Sequence, residues 1–236
     1  MSASTRNLWA VPSIERLRLQ MQALALLDAI LEAEWGYRYF SFNPGWSQSE
    51  QMGSMRNGSG DDLFAVFDEN GCFLRGFDHE SVMSPWASLD RKVWPGVLNG
   101  VPSEFEASLR EPAFHMEDTT FCIWRRSEDS CWHCGSVVFP DGDDPDGSGW
   151  MLSLICGTAN DYASFAKDYY ELDVRIDAVE RVLSHESLSK SLLSAFPTMR
   201  TLQQLRICKL NKVSTIKMNW GGWRSSIRRE TCRDVD

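Results

Sequence analysis

An α+β architecture, a central antiparallel sheet with an N-terminal helix and C-terminal helices packed on it, is what this 236-residue sequence predicts. Three observations carry the expectation. Apolar residues recur at helical steps near the start, short apolar and aromatic runs separated by turn residues fill the middle, and helical periodicity returns from about residue 160. Strands that follow one another through hairpin signals pair antiparallel, whereas parallel strands need long crossovers between them.

The first helix is expected over residues 13–34, where Ile14, Leu17, Met21, Leu24, Leu27, Ile30 and Leu31 recur and Pro12-Ser13 gives a start signal. Residues 37–42 (YRYFSF) alternate with period two and read as a strand that Asn43-Pro44-Gly45 ends. Residues 47–62 are polar and glycine-containing and read as a flexible surface loop. Residues 63–67 and 72–77 flank Asp68-Glu69-Asn70-Gly71, whose Asn-Gly pair predicts a hairpin. Residues 78–100 hold tryptophans and prolines without a regular period and read as an ordered excursion. A short helix over 102–110 follows, beginning with proline and ending before Pro112.

Residues 119–126, 131–139 and 150–156 are three further strand candidates, the last two joined by the turn-rich loop 140–149. Helices are expected over 160–170, with Tyr162, Phe165, Ala166 and Tyr169 on one stripe, then over 173–184, 187–196 and 198–209. No period is visible from residue 211. The organisation expected is a single α+β domain over residues 1–196 and a basic, partly irregular helical extension over 197–236.

Charge divides at the same point. Residues 197–236 carry nine Lys or Arg against three acids, a net of +6, and the rest of the chain carries fifteen against thirty, a net of -15. Phosphate binding draws on Lys and Arg, so an acidic body disfavours nucleic acid as a partner. The basic segment could touch an acidic partner or fold back on its own body. The longest apolar stretch, residues 21–31, is interrupted by Gln22 and Asp28, and a membrane helix needs about 20 apolar residues. No membrane segment is expected. Seven scattered cysteines, and a start without the pattern of a secretion signal, lead to the expectation of a reduced, cytoplasmic setting.

Three constellations could carry chemistry. Arg56, Asp61, Asp62, Asp78, His79 and Glu80 fall in the loop and hairpin end after the first strand. A histidine among carboxylates is an acid-base group in waiting, with His79, Glu80 and Asp61 as the catalytic alternative. Yet no nucleophile motif or oxyanion-type glycine turn accompanies them. Asp141, Asp143, Asp144 and Asp146 cluster in the loop before residue 150; their spacing misses the EF-hand pattern, and a solvated acidic recognition loop is the expectation. Cys131 and Cys134 stand three apart, the spacing of half a zinc site, but no second pair completes it unless Cys122 and His115 come close. Neither GxxxxGK[ST] nor GxGxxG occurs, so no cofactor is expected. The aromatics Trp35, Tyr37, Tyr39, Phe40 and Trp46 are expected in the core.

The runs Met55-Arg56-Asn57-Gly58-Ser59-Gly60-Asp61, Gly76-Phe77-Asp78-His79-Glu80-Ser81, Trp94-Pro95-Gly96 and Thr120-Phe121-Cys122-Ile123-Trp124-Arg125 resemble a family of uncharacterised bacterial proteins, over about residues 35–170. Members of that sort often sit beside polymorphic toxin genes, so the resemblance implies an immunity protein that binds and blocks a toxin domain. The α+β fold and acidic character are also similar to the SMI1/KNR4-like immunity superfamily, whose tryptophan and glycine motif does not align here. The function expected is a protein-binding module for another protein, such as a basic toxin domain, using Arg56, Asp61, Asp62, Asp78, His79, Glu80, Asp141, Asp143 and Asp146. The alternative is a small hydrolase or transferase working through His79 and Glu80.

Overall fold

The computed structural model describes residues 2–197. The expected helix over 198–209 and the rest of the basic extension lie outside the described residues. No helix among the described residues is long and apolar enough to cross a membrane.

Helix α1 (Ile14–Leu31) starts where the sequence signals it: the Ser13 hydroxyl accepts from the Arg16 N–H at 3.3 Å, and Glu15 lies in the first turn, where a negative charge opposes the helix dipole. Its apolar stripe packs on a six-stranded sheet of β1 (Phe40–Asn43), β2 (Gln51–Arg56), β3 (Asp62–Phe67), β4 (Gly71–Phe77), β5 (Phe121–Arg126) and β6 (His133–Cys134). Each strand pairs antiparallel with its neighbour in sequence, in the order β1-β2-β3-β4-β5-β6. The β3–β4 hairpin forms as expected, with Phe67 opposite Cys72. The Asp68 carboxylate accepts from the N–H groups of Asn70 and Gly71, and Gly71 supplies the positive φ of +143°.

Both faces of the sheet are buried. Alternation places Met55, Leu63, Ala65, Leu74 and Ile123 against the helices, in the main core. The opposite face carries Phe73, Cys122 and Trp124, packed with Met83, Val97 and Phe105, and Met52, Phe64 and Val66, packed with Phe114. The excursion after β4, including the short helix α2 (Glu106–Leu109), is therefore the sheet's second cover. Arg75 on that face is wholly buried: its guanidinium pairs with Asp62, donates to His115 O at 3.0 Å and Thr119 Oγ1 at 3.3 Å, and lies 5.8 Å from the ring centres of Phe64 and Phe77.

Three local expectations are corrected. Residues 51–56 are strand β2, not loop, and Gly53 within it serves close approach, because a Cβ there would lie 2.6 Å from Met21 Cε on α1. Residues 150–156 are helical. Helix α3 (Ser148–Ile155) buries Met151, Leu152 and Ile155, a helical spacing, so the loop before it leads into a helix and not into a hairpin. Of residues 131–139 only His133–Cys134 pair in the sheet. Beyond them the chain turns to the second cover, where Val137 and Phe139 pack and the Trp94 indole donates to Val138 O at 3.1 Å.

Helix α4 (Ala159–Tyr170) begins at a capping box formed by Thr158 and Asp161, and α5 (Ile176–Leu183) and α6 (Lys190–Leu193) complete the helical layer. Tyr162 and Ala166 of the expected α4 stripe are buried, while Tyr169 reaches the surface. Asp28, fully buried in α1, ties that helix to β1 and α4.

Candidate functional site

The site begins in the turn between β2 and β3. The Asn57 side-chain oxygen accepts from the N–H groups of Ser59 (2.8 Å) and Asp61 (3.1 Å), its amide donates to the Asp61 carboxylate, and Gly58 and Gly60 take the positive φ values the turn requires. Asp61 is thereby held nearly buried at the end of β4. Its Oδ1 accepts from the His79 N–H at 2.8 Å and lies 2.6 Å from His79 Nδ1. The bond to Asp61 raises the His79 pKa above 6.5, and the ring remains 39% exposed.

Asp78, next in line, accepts from the Glu80 N–H through Oδ1 (3.0 Å) and from the Trp150 indole through Oδ2 (3.0 Å). Trp150 arrives there because the 141–147 loop is stitched to the exit of β4. The Ser81 hydroxyl donates to Pro145 O at 2.6 Å, Thr120 Oγ1 donates to Asp146 O at 2.8 Å, and Asp144 caps α3 by accepting from the Gly149 and Trp150 N–H groups. Gly147, at φ +74°, backs onto the Asp78 carboxyl so closely that no Cβ fits.

The result is an open cleft of about 420 Å³ that brings two distant acidic groups together: Asp61, Asp78 and Glu80 from one side, Asp141, Asp143 and Asp144 from the other. Val82 and Trp150 add apolar surface, and among the described residues no Lys or Arg lines the cleft. Arg6 reaches its rim, where the guanidinium donates to Gly142 O at 3.1 Å.

Other expected site residues lie elsewhere. Asp146 is turned inward: it is buried, accepting from Thr5 Oγ1 (2.5 Å) and Ser148 Oγ (2.7 Å), so it pins the N-terminal segment and presents no charge to a partner. Asp62 is committed to Arg75. The Arg56 guanidinium lies 4.4 Å from the Trp35 ring centre, and burial lowers its pKa. Sequence reasoning missed Trp150 and Val82, since only the tertiary fold brings them to the acidic residues.

Among the described residues, two groups of metal-capable side chains converge: Asp61, Asp78 and His79, and His115, Glu117 and Asp118. Cys131 and Cys134 belong to neither. They flank the buried Trp132, whose indole donates to Pro12 O at 2.6 Å; Cys134 points to Thr5 O, and burial pushes its thiol pKa up. Chemically, the Asp61–His79 pair can hold a proton, but the hydroxyl beside it, Ser81, is engaged with Pro145 O and the Met83 N–H.

Comparison with protein-family models, with curated proteins and with solved structures yields no match to this chain.

Proposed function

We propose that this protein is a protein-binding module whose acidic cleft receives a basic segment of a partner protein, with a toxin domain held by an immunity protein as the fitting case. The observation that carries this reading is the convergence of six carboxylates from two separate stretches of chain on one cleft that no Lys or Arg among the described residues lines. Charge of one sign in a concave site concentrates field and accelerates encounter with an oppositely charged partner, while an aromatic side chain such as Trp150 supplies a contact with large buried area. A body of net charge -15 outside the basic C-terminal segment extends the same field.

The test is binding of a short arginine-rich peptide to the full chain, beside a glutamate-rich peptide of equal length. Binding of the basic peptide alone, weakened by salt and by E80K/D143K, supports the cleft; equal binding of both peptides, or indifference to the substitutions, refutes it. The second reading, a hydrolase or transferase, rests on the Asp61–His79 pair at 2.6 Å beside the same cleft. It requires turnover of simple esters or phosphoesters above the buffer rate that is lost in H79A.

A further inference from the structure

We propose that Arg56 and Ser41 form an anion site, outside the acidic cleft, that takes the carboxylate of a small molecule with an apolar body. Neither residue lines the cleft, and the proposal is independent of the reading given to that surface.

Two polar side-chain atoms among the described residues are closed off from solvent without a hydrogen-bond partner, and both belong here: Arg56 Nη2 and Ser41 Oγ. Register puts them on one face of the sheet. Ser41 stands opposite Ser54, two residues before Arg56, so the two side chains are diagonal neighbours at a separation that a long side chain can close. Phe40, Phe42 and Met55 pack in the main core, so alternation turns Ser41 and Arg56 to the other face, that of the second cover. Both positions are fixed by the sheet. Ser41 is 4% exposed within β1, and the Arg56 N–H donates to Tyr39 O at 2.8 Å.

An arginine so placed would ordinarily pair with the acid across from it. Asp62 stands directly opposite Arg56, but its carboxylate is committed to Arg75. The Arg56 guanidinium lies instead 4.4 Å from the Trp35 ring centre, a cation–π contact that holds the charge and gives Nη2 no acceptor. A buried donor of a charged group is costly to leave unmet, and a ligand that brings an acceptor recovers that cost. Such a ligand must accept from Nη2 and from the Ser41 hydroxyl together, as the two oxygens of a carboxylate do. Charge narrows the class further. One guanidinium balances a monoanion, whereas a phosphate dianion would leave a charge uncompensated beside Asp62 in apolar surroundings. Trp35 and Trp46, each half-buried against the cluster of Met52, Phe64, Val66 and Phe114, supply apolar walls for the body of the ligand.

A ligand that binds only the folded state raises its stability, so thermal unfolding of the full chain reads the site. The probe is sodium benzoate, with sodium chloride and sodium phosphate at equal ionic strength beside it. Benzoate should raise the melting midpoint of the natural chain to a saturating value, and the other two salts should not. R56Q should lose the shift, and S41A should bind benzoate about fivefold more weakly. S41A removes a buried hydroxyl that has no partner, so without benzoate it should be at least as stable as the natural chain. No shift with benzoate, an equal shift with chloride or phosphate, or a full shift retained in either variant overturns the proposal. Since R56Q also removes packing on Trp35, a second measurement uses the natural chain alone. Nuclear Overhauser contacts from the benzoate ring to Trp35 or Trp46 support the site, and contacts only to other residues overturn it.

Discussion

The Tyr162 hydroxyl donates to Asp28 Oδ1 at 2.8 Å, joining α4 to α1 across 134 residues of sequence. Tyr170 donates to the other oxygen at 2.7 Å, and so does the Phe40 N–H at 2.7 Å. All three donors are neutral, and burial raises the Asp28 pKa from 3.8 to about 6.

Stability therefore depends on pH through Asp28 in a direction opposite to that of an ion-paired carboxylate. The folded state binds the proton more tightly than the unfolded state, so this contribution is fully present below pH 3.8 and is lost as pH rises through about 6. The amount is about 3 kcal/mol across that window. Denaturant titrations of the natural protein and D28N from pH 4 to 7 should diverge steadily with pH, with the natural protein losing the advantage. Parallel curves would show that Asp28 keeps the same protonation folded and unfolded.

Arg75 and Asp62 form a pair in which only one partner is wholly out of water. D62A strands a buried guanidinium and should cost about 3–5 kcal/mol in equilibrium unfolding. The double change R75M/D62L removes both charges and should recover most of that loss. A double variant as unstable as D62A alone would mean that the cost is one of packing and not of charge.

His79 titrates above 6.5 because Asp61 accepts its proton-bearing nitrogen. The pair's contribution is present below pH 6.5 and declines as pH rises through the folded-state value. NMR of the His79 ring should place its midpoint above that of a free histidine, and D61N should bring it down. If D61N leaves the midpoint unmoved, Asp61 is not the cause.

The thiols should separate by reactivity. Burial drives the pKa of Cys72 and Cys122 upward and that of Cys156 up to about 12, and only the thiolate reacts. Iodoacetamide followed by peptide mass spectrometry should label Cys131 in the native protein before Cys72 or Cys122, which should react only on unfolding. Rapid labelling of Cys122 in the native state would contradict its place between sheet and second cover.

Much of this fold is legible in sequence, for reasons particular residues make plain. Ser13 and Thr158 announce helices by side-chain capping, and Asp68 to Gly71 fold a turn with contacts inside four residues. Local chemistry suffices there. β2 escapes because a strand buried on both faces need not alternate, and because Gly53 signals a turn in sequence while its actual reason is Met21 on another element. The short apolar run of α3 suits either period, and what decides it is Asp144 capping from five and six residues away. In the cleft, Asp61, Asp78, Glu80, Asp141 and Asp143 are visible as charges. Their convergence is not, because it depends on Ser81 meeting Pro145 across 64 residues. The inward turn of Asp146 depends on Thr5, 141 residues away, and leaves no mark on the sequence around it.

The strand order has a consequence for the nascent chain. Because every strand pairs with the one just synthesised, a ribosome releasing this protein has delivered the whole sheet once Cys134 emerges, along with α1 and most of the second cover, and before α3 to α6 have emerged to pack on it. During that interval the face holding Leu63, Leu74 and Ile123 has only α1 to shield it. Translational pausing after Cys134 would prolong the exposure of that greasy surface, and a holdase chaperone would find its target there.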